Sequence, residues 1–124
     1  MAKQNIRKEL SLKRANHKVS QIDGGAVMAT GAALMEELID DNGKVNSQNL
    51  GEYKIPSVFD IPRLKTVLVR SQGGPGRYEA KAIGEMANVS VPAAIANAVA
   101  DAVEVRLFDI PITAEKVFKA LNER

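Results

Sequence analysis

The chain has 124 residues, 45% of them apolar, with three Phe, two Tyr and no Trp, so it can build one modest core of Ala, Val, Ile and Leu. It has no Cys and a single His, His17; this excludes disulfides, iron–sulfur clusters and thiolate or multi-histidine metal sites, and no metal is expected on its own side chains. The net charge of +2 is uneven, because Lys3, Arg7, Lys8, Lys13, Arg14 and Lys18 against Glu9 put +5 on residues 1–18 and leave −3 on the rest.

Residues 1–19 read as a basic leader, expected to be poorly ordered. A nucleic-acid or membrane-surface arm is the competing reading, and nucleic acid is disfavoured because no aromatic residue is interleaved for base stacking. Residues 20–124 form the globular part. From Gly25 to Ile39 the residues Val27, Gly31, Leu34, Met35, Leu38 and Ile39 recur at three- and four-residue steps, which predicts a first helix with Asp23 as its N-cap. Gly24 and Gly25 would let other backbone or a ligand approach its first turn. Asn42-Gly43 is a strong reversal signal. Residues 46–62 are polar and contain Pro56 and Pro62, so an extended connection is expected, with a short strand around Tyr53–Ile55. The best strand is Leu64–Arg70, which is rich in β-branched residues.

Past the glycine-rich stretch 73–76, "SVPAAIANAVADAV" predicts a second helix with Ser90 and Pro92 as start signals. A short strand is expected at Val105–Phe108. Thr113 is a natural N-cap for a final helix with Val117, Phe118 and Leu121 facing inward. The result is an α+β chain with three helices and a small mixed sheet. No apolar run approaches the roughly 20 residues of a membrane span and no signal-peptide core is seen, so no membrane association and a cytoplasmic location are expected.

Within "GGPGRYEAKAIGE", residues 73–85, the spacing of neither common nucleotide-binding glycine motif is present. Gly84 lets backbone or a flat ligand come close to Glu85. Glu85 therefore reads either as a general base, if apolar neighbours such as Ile83 and Met86 desolvate it, or as a solvated loop glutamate. Gln21, ahead of Gly24-Gly25 at a helix start, would lie where free amides favour anions such as phosphate, or would act as a local cap. Lys81 would hold a phosphate, pair with Glu85, or remain a surface lysine.

Four segments, "QIDGGAVMATGAALMEELIDDNGKV", "YKIPSVFDIP", "GRYEAKAIGE" and "VPAAIANAVADAVEVRLFDIPITAEKVFKAL", together resemble the C-terminal end of the molybdopterin-binding large subunit of molybdenum hydroxylases. This is the family of xanthine dehydrogenase, aldehyde oxidase and carbon monoxide dehydrogenase. The resemblance covers about residues 20–122. It departs from the family pattern at Ala82 and Glu104, where glycine is usual, and at Met86, where proline is usual.

The resemblance implies that Glu85, closing the A-K-G-[VI]-G-E type motif, is the general base beside molybdenum. It also implies that Gln21, Lys81, Ile83 and Gly84 lie at the cofactor. The fold would be a fragment of the family's C-terminal molybdopterin-binding domain, and the activity oxidative hydroxylation of an aldehyde, purine or related substrate. The molybdopterin-type molybdenum cofactor would be bound by the full assembly, with none on the isolated chain. The implied partners are the remainder of the subunit and iron–sulfur and FAD subunits or domains. The alternative is a non-catalytic remnant that folds or self-associates as a homo-oligomer without cofactor.

Overall fold

The computed structural model describes residues 2–69, 73, 77–79 and 81–123. The glycine-rich expectation at 74–76, the end of the expected strand at Arg70 and Ala80 lie outside the described residues. Helix α1 spans Ala2–Leu34, α2 Met86–Val103 and α3 Ala114–Asn122, and strands β1 (Asp40–Asp41) and β2 (Lys44–Val45) form an antiparallel ladder. The architecture is α+β.

Helix α1 does not begin at Asp23. It runs through Gln21, Asp23 and the Gly24-Gly25 pair and ends at Leu34, so Leu38 and Ile39 fall beyond it and are 65% and 50% exposed. Its inward side is made of small residues instead, with Gly25, Ala29, Gly31 and Ala33 all buried. Small side chains allow close approach, and α2 packs directly against α1. The innermost residues are Ala29, Ala33 and Ile112, and the Ile112 amide donates to the Ala33 carbonyl at 2.7 Å, tying the chain before α3 to the end of α1.

The reversal at Asn42-Gly43 forms as expected. Both residues take positive φ, 53° and 83°, which suits a two-residue hairpin turn. Ser47, 8% exposed, accepts from the Ile39 amide at 2.9 Å and anchors the hairpin base. The strands expected at Tyr53–Ile55, Leu64–Val69 and Val105–Phe108 are extended or irregular segments with no ladder partner among the described residues. Exposure alternates in the second of these. Leu64 and Leu68 are 40% and 39% exposed, whereas Val67 and Val69 are 70% and 87% exposed. Between them, the Thr66 hydroxyl donates to the Asp23 carboxylate on α1.

Asp60 closes a local turn by accepting from the Ser57 hydroxyl at 2.6 Å and the Ser57 amide at 2.8 Å. These bonds, the hydroxyl first, hold its carboxyl below the usual aspartate range against a smaller opposing effect of desolvation. A depressed pKa contributes stability above the ordinary value that is lost as pH falls through the folded value. Ser57→Ala should therefore raise the Asp60 pKa, measured by NMR titration, and make the turn open at higher pH.

Helix α2 starts at Met86, several residues before the expected Ser90-Pro92 signal, and Pro92 lies inside it. Having no N–H, Pro92 leaves the Asn88 carbonyl without its intrahelical donor. By length and composition α2 is apolar enough to cross a membrane. However, Asn88, Asn97 and Asp101 interrupt it, and Asn88 donates to the Met28 sulfur on α1 at 3.4 Å. The helix ends on Glu104, which takes a left-handed conformation at φ 54°, ψ 22°. Glycine occupies that conformation without a Cβ penalty. Glu104→Gly should raise stability by up to about 1 kcal/mol in denaturant melts, less whatever the glutamate side chain contributes.

Thr113 caps α3 as expected, accepting from the Lys116 amide at 3.3 Å. The inward face differs. Val117 is half-buried, while Phe118 and Leu121 are 70% and 41% exposed.

Candidate functional site

The packing of α1 against α2 brings together residues that lie about sixty positions apart in the chain. A Cβ built on Gly25 would stand 3.2 Å from the Ala87 Cβ and 3.7 Å from both the Gly84 carbonyl oxygen and Asn88 Oδ1. The middle of α1 therefore touches the turn that carries Glu85. Gln21 is four residues before Gly25, one helical turn away on the same face and about 6 Å along the axis. Gln21, Gly84 and Glu85 are all exposed.

Glu85 occupies the N-cap position of α2 at φ −114°, ψ 10°, but its side chain caps nothing. Its carbonyl accepts from the Asn88 amide at 3.1 Å. Among the described residues its carboxylate makes no hydrogen bond or ion pair, so it is free to accept a proton or a hydrogen bond from outside. The first-turn amides of Met86 and Ala87 have no backbone acceptor among the described residues, as expected at a helix start. Such amides, with the dipole of an 18-residue helix behind them, favour an anionic group. The anion-friendly helix start near Gln21 thus belongs to α2. At Gln21 itself α1 is continuous.

Open space is a second feature of this corner. A Cβ on Gly24 or Gly84 would meet nothing within 4 Å. Asn88, half-buried against Gly25, keeps its Oδ1 buried without a hydrogen-bond partner. Of the other residues read from the sequence, Lys81 is exposed on the extended segment before Gly84, and Ile83 is half-buried there. Sequence reasoning missed Asn88. Its only signal was a polar residue three positions after Glu85, within the first turn of a largely apolar helix.

Among the described residues no three His, Cys, Asp or Glu side chains come together that could hold a metal ion. An open groove at α3, lined by Leu107, Asp109, Lys116, Lys119, Ala120 and Glu123, shares no residue with the Glu85 corner. Its charges are of both signs, and Lys119 pairs with Glu123 within it at 3.7 Å.

Residues 16–62 match the family model of the molybdopterin cofactor-binding domain. The chain is 34% identical over 104 residues to a probable xanthine dehydrogenase subunit of Bacillus subtilis strain 168, covering 84% of this chain and 14% of that protein. It is 38% identical over 107 residues to the aldehyde oxidoreductase molybdenum-binding subunit PaoC of Escherichia coli K12, covering 84% of this chain and 15% of that one. Among solved structures, quinoline 2-oxidoreductase from Pseudomonas putida 86 superposes with a TM-score of 0.69 at 37% identity, over 85% of this chain and 14% of that chain. The chain thus spans only 14–15% of the length of these relatives.

Proposed function

The chain belongs to the molybdopterin-binding subunit family of the molybdenum hydroxylases, and from that premise we propose that it contributes Glu85 as general base to an oxidative hydroxylation site completed by polypeptide outside these residues. The observation that carries the proposal is the state of Glu85. It is an exposed carboxylate without a hydrogen-bond or ion-pair partner among the described residues, and it stands at the N-terminus of α2 directly after Gly84, where a Cβ would meet nothing within 4 Å.

These residues fit one flank of a molybdopterin cofactor. The free amides of Met86 and Ala87 suit a phosphate, and Gly24 and Gly84 leave room for a flat ring system. Asn88 Oδ1 is an acceptor in want of a donor. Gln21 would contact the cofactor through its amide, with Lys81 and Ile83 supporting the approach to Gly84. Bound there, the cofactor would supply the two-electron oxidising centre. Glu85 would take the proton released when an oxygen nucleophile attacks the substrate carbon, and the apolar side chains of Ile83 and Met86 would exclude water from that carboxylate.

The proposed substrate is an aldehyde, a purine or a related heterocycle. The proposed partners are the remainder of the molybdopterin-binding subunit together with iron–sulfur and FAD subunits or domains, in the cytoplasm. Exposed apolar residues support an extensive partner surface. Helix α2 has no buried residue, and Val58, Phe59, Val89 and Phe108 are 82%, 94%, 82% and 86% exposed. Monomeric soluble proteins rarely leave large contiguous apolar patches open.

The test is to purify the tagged chain from its own host grown with molybdate, measure native mass and molybdenum content, and compare turnover of wild type and Glu85→Gln. A large molybdenum-containing assembly silenced by the substitution is the expected result. A small metal-free particle would instead support a non-catalytic remnant.

A further inference from the structure

The two adjacent glycines of α1 stand in opposite surroundings. Gly24 is exposed with nothing within 4 Å of a Cβ, whereas Gly25 is buried and a Cβ there would touch residues on both sides of Glu85, namely Gly84, Ala87 and Asn88. At 3.2 Å the contact with the Ala87 Cβ is tighter than ordinary van der Waals packing. The Ala87 Cβ has no rotamer with which to escape. Relief would require the first turn of α2 to move away from α1 by a few tenths of an ångström. That motion would reach Glu85 through the chain and through the bond from the Asn88 amide to the Glu85 carbonyl, 3.1 Å long.

We propose that Gly25 is a positioning residue for Glu85: its missing Cβ lets the Gly84–Asn88 turn sit down on α1, and that seating fixes where the carboxylate stands. The inference rests on Glu85 being the general base. It assigns the glycine pair two tasks. Gly24 leaves room for a ligand, while Gly25 makes room for the turn that carries the base. Proton transfer depends steeply on the placement of the base, so a displacement too small to unfold anything can still slow turnover.

The experiment compares Gly25→Ala, Ala87→Gly and the double variant Gly25→Ala/Ala87→Gly, with Glu85→Gln alongside, all in the native molybdenum-containing assembly. The readouts are kcat and KM separately, the thermal midpoint, and amide hydrogen exchange across residues 84–88. Gly25→Ala should lower kcat roughly tenfold while KM stays within about twofold, and exchange at 84–88 should quicken. The thermal midpoint should change little, because alanine's advantage inside a helix offsets the strain of shifting the first turn of α2. The double variant should recover the kcat and exchange of Ala87→Gly alone. Wild-type kcat in Gly25→Ala would overturn the proposal. So would a double variant that stays as slow as Gly25→Ala or fails to assemble, since removing the Ala87 Cβ should relieve the clash. Full turnover in Glu85→Gln would instead strike the general-base reading itself, and with it the reason for positioning that residue.

Discussion

Glu85→Gln is expected to lower turnover of the molybdenum-containing assembly by about 10²–10⁴-fold, the usual contribution of a positioned general base, at unchanged molybdenum content and native mass. The substitution keeps the size and shape of the side chain while removing its negative charge and its ability to accept a proton. It should cost little stability, because the Glu85 carboxylate caps no amide and has no partner among the described residues. That separation gives the experiment its force. A carboxylate embedded in a salt-bridge network would lose activity through collapse as readily as through chemistry. Here a melt that superposes on wild type, together with lost turnover, leaves the chemistry of the carboxylate as the explanation. Glu85→Asp should fall between the two, since the acid is retained but withdrawn by one methylene. A Glu85→Gln assembly that turns over at the wild-type rate would return Glu85 to the solvated-glutamate reading.

What was legible in the sequence was local. Asn42-Gly43 turned as its residues demand because the positive φ angles are accommodated within two positions. Thr113 capped α3 because the acceptor and the amide it serves are three residues apart. Both signals are complete within one turn of chain. Where the outcome depended on distant partners, the sequence pattern was misleading. Leu64, Thr66 and Leu68 do share the less exposed side of their segment, as alternation predicts, but a ladder needs a second strand and none aligns there among the described residues.

Helix α1 runs past the Asp23 capping signal, and the Asp23 carboxylate engages Thr66 rather than a helix amide. The start of α2 was hidden behind Pro92, a residue that usually marks a first turn and here sits in the interior. For the candidate site, Glu85 and Gly84 could be singled out from chemistry and spacing. Their seat against Gly25, and the orphaned Asn88 oxygen, could not, because both arise from one helix–helix contact.

A second large effect is expected at Gly31, and it tests how firmly the connection after the hairpin is fixed to α1. A Cβ on Gly31 would collide with Glu36 Oε1 and stand 2.7 and 2.8 Å from Cδ and Cγ of Pro56. Glu36 could swing aside only by giving up its bond from the Tyr53 hydroxyl, 2.8 Å long. Pro56 has a closed ring and no rotamer to change. Gly31→Ala should therefore destabilise the fold by about 1–3 kcal/mol in denaturant unfolding, the range for overpacking a close-fitted site, even though alanine is intrinsically the better helix residue.

Tyr53 supplies an independent readout of the same contact. Its phenol is held above the ordinary tyrosine range, first by the hydrogen bond to Glu36 and then by desolvation and the carboxylate charge. The bond needs the phenol protonated, so its contribution is present below the ordinary value and lost as pH rises through the raised one. In Gly31→Ala the Tyr53 pKa, followed by ultraviolet titration, should drop back toward that ordinary value. Tyr53→Phe, which removes the bond and leaves Pro56 in place, should cost less than Gly31→Ala. If the two cost the same, the polar bond and not the seating of Pro56 joins this segment to α1.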